Sequence, residues 1–365
     1  LALERVAEPG FADPAVAAVY RGQYASAELS ETAQDDEHGT RAAPAPPVEH
    51  GFVVALPVGF DPATTPLVLL VHGHGGNAQA MLKSNAIGLA RRGMASAALD
   101  LPAHGERTAE PELAVPLEPA RLTHGLRQAA VDTLALLDAT LRCGLALPDG
   151  AERFTPHELR FLGYSLGAAV GVLVRAVEPR IGTTVLIAPP ADLVDWQVIQ
   201  VPRVLGVTAY GACSGGSTHG TKCRGTCEPD GVCIADPQLV GFGDLLSLPY
   251  GAIFAAAQPV SFAGERTGPA GTAPLLVIAA GVDMAVGPAA GPRLADVYGM
   301  SIDATGGRRG RGIRLVQWPT HGHDLLADLH VLRQAYDFLA TRGRRLVPVT
   351  TAPPPAPLSP APPRP

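Results

Sequence analysis

The chain is 365 residues long, 47% hydrophobic, and carries 28 Lys and Arg against 34 Asp and Glu, for a net charge of −6. That length and apolar content bury one large core, read as one elaborated domain with an insertion. The acidic balance, with its basic residues scattered, excludes a nucleic-acid-binding footprint, and no apolar run approaches the roughly 18 residues that cross a bilayer.

The chain opens at Leu1 rather than Met, which reads as a processed or trimmed start compatible with removal of a signal peptide. Residues 1–49 form an N-terminal extension, partly flexible, with a polar acidic stretch from Glu28 to Glu37 and a semi-rigid spacer, Ala42-Ala43-Pro44-Ala45-Pro46-Pro47. The core is expected to begin near His50. Strands are predicted at Phe52 to Pro57 and at Leu67 to Val71, the second a fully apolar run of the kind buried on both faces of a parallel sheet.

A helix from Ala78 to Arg92, ended by Gly93, precedes a strand from Ala95 to Leu99 that leads into Asp100. A helix over Glu118 to Leu141, a strand over His157 to Leu162, a helix from Leu166 to Val177 and a strand over Thr183 to Ala188 complete the first core part, 50–189. Between 190 and 272 the alternation is lost, over a stretch too long for a plain loop, which reads as a cap or lid. The second core part, 273–346, resumes with a strand at Pro274 to Ala280, a helix around Pro292 to Tyr298, a strand at Gly312 to Gln317 and an amphipathic helix from Asp324 to Ala340. Residues 347–365 are Pro-rich and read as a disordered tail. Strand and helix in regular alternation predict an α/β fold with a doubly wound, mostly parallel sheet.

Chemistry concentrates in Phe161-Leu162-Gly163-Tyr164-Ser165-Leu166-Gly167-Ala168-Ala169, an apolar strand running into Gly-x-Ser-x-Gly and then a small-residue helix. A serine on such a turn is forced into an unfavourable backbone geometry that projects its hydroxyl, and the flanking glycines let strand and helix pack closely. The N–H of Leu166, at the helix N-terminus, faces any oxyanion formed there. Ser165 is therefore the candidate nucleophile.

A nucleophilic serine needs a base, and the base an orienting acid. Asp283 lies just past the strand ending at Ala280, at the sheet edge where open α/β folds place their sites. His323 lies between the last strand and the last helix, directly before Asp324, read as that helix's cap. Asp283 is assigned as the acid and His323 as the base. His321, two residues away, is the competing base, Asp192 the competing acid, and a helix cap the bland reading of Asp283. The Gly-rich Val71-His72-Gly73-His74-Gly75-Gly76-Asn77 can supply a second oxyanion donor, the N–H of His74, with His72 a structural residue bonded to backbone. This stretch lacks the spacing of a phosphate-binding loop.

These residues resemble the α/β-hydrolase superfamily, specifically its bacterial esterase, lipase and dienelactone-hydrolase-like members. The resemblance rests on His72-Gly73-His74-Gly75-Gly76, Asp100-Leu101-Pro102-Ala103-His104-Gly105, the Ser165 turn, Asp283 and His323, in family order over Phe52 to Ala340. It implies an eight-stranded, mostly parallel sheet, a scaffold role for the Asp100 to Gly105 turn, and a Ser-Asp-His triad hydrolysing carboxylic esters through an acyl-enzyme. No cofactor or metal is required, and the expected partner is a small-molecule or polymeric ester. A serine peptidase or amidase on the same fold is the nearest alternative. A metal-dependent hydrolase would use His72, His74, His321, His323 and Asp324 as ligands but leaves the Ser165 turn unused. A noncatalytic binding protein would need a broken triad.

Within the insertion, Cys213, Cys223, Cys227 and Cys233 fall among small and polar residues over 211–237. Two disulfides, in any of three pairings, are the leading reading and place the chain in a secreted or periplasmic setting; a zinc site with His219 is the rival. Cys143 reads as a buried free thiol. Phe242 to Tyr250, Ile253 and Phe254 can line an acyl pocket over Ser165 or pack the cap onto the sheet, as can Trp196.

Overall fold

The computed structural model of the chain describes residues 1–6, 11, 13–29, 46–108, 119–148, 153–193, 196, 211–212, 225–227, 232–235, 259–264, 273–281, 283, 285–287, 289–299, 301–302, 308–310, 313–318 and 320–343. Strands β4 (Leu67–Val71), β5 (Ala95–Leu99) and β11 (Leu275–Ala280) are buried at every position, as sequences apolar throughout, but for Ser96 in β5, require of strands covered on both faces. With β6 (Leu159–Tyr164), β7 (Ile181–Ile187) and β14 (Ile313–Trp318) they form a parallel block in the order β5-β4-β6-β7-β11-β14.

The sheet is wider than the resemblance implies, with eleven strands among the described residues rather than eight. Antiparallel strands extend both edges: β3 (Val48–Pro57), β2 (Val16–Ser26) and β1 (Leu3–Val6) beyond β5, and β13 (Arg308–Gly310) and β12 (Ser301–Ile302) beyond β14. The core therefore starts well before His50. In β2, Tyr20, Gly22-flanking Arg21 and Gln23, and Tyr24 alternate between inside and outside, the two tyrosines being buried. This half-solvated pattern belongs to an antiparallel strand, which a search for fully apolar runs passes over.

Two apolar clusters lie on opposite faces of the sheet. One takes in α2 (Pro119–Cys143), α3 (Leu166–Val177) and α5 (Ala290–Val297), with Phe262 of the short α4 (Pro259–Gly264) packed against it. The other takes in α1 (Ala78–Ala90) and α6 (Leu329–Ala340). The Asn77 side chain caps α1 by accepting from the Ala80 N–H at 2.8 Å. The last helix starts later than expected: Leu325–Ala327 form a separate 3-10 turn, and Asp328 rather than Asp324 is the cap, accepting from the N–H groups of His330 and Val331. Cys143, the last residue of α2, is exposed rather than buried, facing solvent beside the exposed Arg142.

From the insertion, a small sheet of order β8-β10-β9 is described, with β8 at Gly211–Ala212, β9 at Gly225–Cys227 and β10 at Val232–Ala235. Cys213, Cys223, His219, the Phe242 to Phe254 segment and the tail 347–365 lie outside the described residues. Trp196 is buried in the cluster on the α3 face. Among the described residues, no helix is long and apolar enough to cross a membrane.

Candidate active site

Ser165 sits between β6 and α3 with φ +52° and ψ −116°, in the positive-φ half of backbone space that non-glycine residues avoid. Such a conformation costs about 1–3 kcal/mol and persists only where neighbours over-determine it. Here the Ser165 N–H donates to the Ile187 carbonyl of β7 at 2.8 Å, while its own carbonyl accepts from Ala168 and Ala169 of α3. The glycines of the motif make the turn possible. A Cβ on Gly167 would run into the backbone carbonyls of Val71 and His72, and one on Gly163 into the carbonyl of Gly167.

Above this turn, in the loop after β14, lies His323, whose Nε2 is 2.8 Å from the Ser165 Oγ. Its Nδ1 is 3.0 and 2.9 Å from the two carboxylate oxygens of Asp283. A carboxylate can only accept, so Nδ1 carries the proton and Nε2 is left to accept from the serine hydroxyl. Asp283 follows the end of β11, is 1% exposed, and is held in place by N–H bonds from Ala285 (2.9 Å) and Val286 (3.0 Å). The competing candidates are elsewhere. His321 bonds through Nε2 to Asp328 at 2.8 Å, at the start of α6, and Asp192 lies 3.7 Å from Arg293.

The His72 to Gly76 loop abuts the same turn. A Cβ on Gly73 would come within 3.0 Å of the Ser165 Cβ and 2.9 Å of the Tyr164 ring, so only glycine allows this approach. His72 is buried; its Nδ1 donates to the Gly73 carbonyl at 2.7 Å and its Nε2 accepts from the Leu101 N–H at 3.1 Å. Burial pushes its pKa down to about 4, which keeps the ring neutral as the accepting Nε2 requires. The ring thus ties the loop after β4 to the loop after β5. Asp100 braces the second loop, accepting from Ala78 at 2.6 Å and Glu106 at 2.9 Å. His74 is exposed, and Leu166 opens α3, where backbone N–H groups lack intrahelical partners.

Sequence reasoning passed over Tyr164. Its hydroxyl donates to the His323 carbonyl at 3.0 Å, and its ring lies 5.4 Å from the imidazole. It occupies the unspecified second position of Gly-x-Ser-x-Gly, so no motif marks it. Among the described residues, no three His, Cys, Asp or Glu side chains are grouped as a metal ion would need; His72 and His323 spend their ring nitrogens on the separate partners given above.

No family model matches the chain. No curated protein matches it either. Solved structures do. The chain is similar to a cold-adapted esterase from an Arctic intertidal metagenomic library at 16% identity and TM-score 0.52, covering 93% of this chain and 97% of that one. It is similar to an acetyl xylan esterase from Paenibacillus sp. R4 at 13% identity and TM-score 0.54, covering 93% and 87%. A third match is TT1662 from Thermus thermophilus, at 19% identity and TM-score 0.50, covering 81% and 94%. At such identities the likeness is one of fold. A mostly parallel sheet flanked by helices, with these neighbours, is the α/β-hydrolase fold, and this chain has it.

Proposed function

We propose that the protein is a serine hydrolase that cleaves carboxylic esters. The observation that carries this reading is the hydrogen-bonded series Ser165 Oγ, His323 Nε2, His323 Nδ1 and Asp283, built on a strained serine at the head of a helix. Ser165 attacks the ester carbonyl as His323 takes its proton, and the imidazolium is stabilised by Asp283. The oxyanion is held by the N–H groups of His74 and Leu166, whose segments abut at the serine. His323 returns its proton to the leaving alcohol; water then attacks the acyl-enzyme by the same route and releases the acid. Substrates are small-molecule or polymeric esters.

The test is a panel of nitrophenyl esters of graded chain length, with a fluorophosphonate probe read by peptide mass spectrometry. Hydrolysis with labelling at Ser165, both abolished in Ser165→Ala, is the expected result. Ester hydrolysis that survives Ser165→Ala removes the proposal.

An oxidising, secreted or periplasmic setting belongs to the same reading. It is supported by the register of the small sheet, in which Cys233 of β10 lies opposite Cys227 of β9. Peptide mapping of the exported protein without reductant is expected to find these two cysteines linked; free thiols at both would count against that setting.

A further inference from the structure

The 3-10 turn Gly105–Arg107, in the loop after β5, is tied to α2 by a buried ion pair. Asp132 of α2 is fully buried. One of its carboxylate oxygens accepts from Arg107 Nη1, the other from the Ser26 hydroxyl at 2.6 Å and the Gln128 amide at 2.7 Å. Arg107 Nη1 also donates to the Asp100 carbonyl at 3.2 Å. One corner of the guanidinium is thereby fixed.

Its other edge is unused. A guanidinium has five N–H donors, and in Arg107 only those of Nη1 meet acceptors. Nε and Nη2 have no hydrogen-bond partner among the described residues, yet neither is sealed from solvent. His104, in the same loop, is the contrast: its Nε2 is also unmet but lies buried, beyond the reach of a ligand. The Nε–H and Nη2–H of an arginine form a parallel pair of donors that matches the two oxygens of a carboxylate.

Arg107 lines a cavity of about 250 Å³ whose wall includes Leu166, the residue after Ser165, so this is the substrate pocket of the serine site. Leu122, Leu126 and Val170 make much of the wall apolar. Arg107 and Arg121 carry its fixed charges, and among the described residues no Asp or Glu lines it. A carboxylate entering the pocket therefore meets no like charge on the wall. Asp132 balances Arg107 from behind, so selection falls to the two aimed hydrogen bonds more than to net charge.

We infer that Arg107 determines specificity at the serine site: its free Nε and Nη2 edge receives a carboxylate of the substrate, and the preferred esters carry a carboxylate on the half that lies along α2. The inference rests on the esterase reading of Ser165, and its test separates the two. Titration calorimetry of Ser165→Ala protein compares monomethyl esters of linear dicarboxylic acids, four to eight carbons long, with their dimethyl counterparts. Acetate esters of ω-hydroxy acids of the same lengths, paired with their methyl esters, place the carboxylate on the alcohol half instead. In one of the two series, at the length that spans the pocket, the carboxylate is expected to bind about tenfold more tightly than its neutral partner, as charge-assisted hydrogen bonds provide.

Arg107→Gln alone would leave Asp132 buried without its cation, so it is combined with Asp132→Asn, which keeps the shape of the pair. Added to Ser165→Ala, this pair of changes should equalise the carboxylate and neutral esters. If that protein does not fold, the ester series with Ser165→Ala still decide. No preference for a carboxylate in either series, no binding of any ester, or a preference that survives the paired change overturns the role of Arg107. Labelling of wild-type Ser165 by fluorophosphonate reports on the nucleophile independently. Labelling without carboxylate preference removes this inference alone, whereas carboxylate-selective binding without labelling removes the esterase reading.

Discussion

The hydroxyl of Tyr164 donates to the carbonyl oxygen of His323 at 3.0 Å, so the residue before Ser165 holds the chain at the histidine whose Nε2 meets the Ser165 hydroxyl. Burial pushes the phenol pKa up, which keeps it a donor across the working range. Tyr164→Phe keeps the ring against the imidazole and removes only this bond. A fall in kcat of up to about tenfold is expected, the worth of one ordinary hydrogen bond, with KM nearly unchanged. Steady-state kinetics with a short-chain nitrophenyl ester check it; an unchanged kcat means that the loop needs no such tether.

The two histidines of the last loop separate cleanly in their expected effects. His323→Ala should lower kcat by about 10⁴-fold or more, the scale of losing a triad member. His321→Ala should leave kcat within a few-fold and lower stability by no more than about 1 kcal/mol, because its partner Asp328 sits at a partly exposed helix start. Parallel rate measurements and thermal melts of the two variants make the comparison. Reversed effects would move the base to His321.

Two glycine substitutions should have opposite signs. At Gly167 an added methyl meets the carbonyls of Val71 and His72, which are backbone and cannot swing away, so Gly167→Ala should destabilise by about 3 kcal/mol. At Gly125 the methyl meets open space within a helix, so Gly125→Ala should stabilise by about 0.5–1 kcal/mol. Chemical denaturation of both proteins reads the difference directly.

Acid stability should depend on His72. Its pKa is lowered from 6.5 to about 4 in the folded chain, so between these values the unfolded chain binds the extra proton and the folded one does not. Stability is full above about pH 6.5 and falls as the pH drops toward 4, by at most about 1.4 kcal/mol per pH unit. His72→Gln should flatten this slope, at some loss of stability at pH 7 from the altered bonds to Gly73 and Leu101. Urea denaturation midpoints at pH 7, 6 and 5 for the two proteins test it.

What could be read from the sequence follows from how local each cause is. β4 and β11 announce themselves because burial on both faces demands unbroken apolar runs, and β5 nearly so, with only Ser96 interrupting it. Ser165, Asp283 and His323 stand out because each ends or follows such a strand in a fixed chain order. β2 was hidden by its alternation, and β12 and β13 by their shortness and, in β13, by Arg308 and Arg309. The start of the last helix is ambiguous in the sequence because Asp324 and Asp328 can both cap, and only tertiary packing selects the 3-10 turn between them. Tyr164 meets the His323 carbonyl across 159 residues of chain, and the unmet nitrogen of His104 exists only once the loops are folded against each other. No local pattern encodes either.

The three side chains of the hydrogen-bonded series follow the ends of β6, β11 and β14, strands paired through β7 in one continuous parallel register, and none comes from residues 197–258. Because the entropy of closing a loop grows only slowly with its length, that stretch is free to lengthen, shorten or change composition while the spacing of serine, histidine and aspartate stays as the sheet sets it. The three side chains are thus inherited apart from that stretch of the same gene, and selection can rewrite the stretch without moving them.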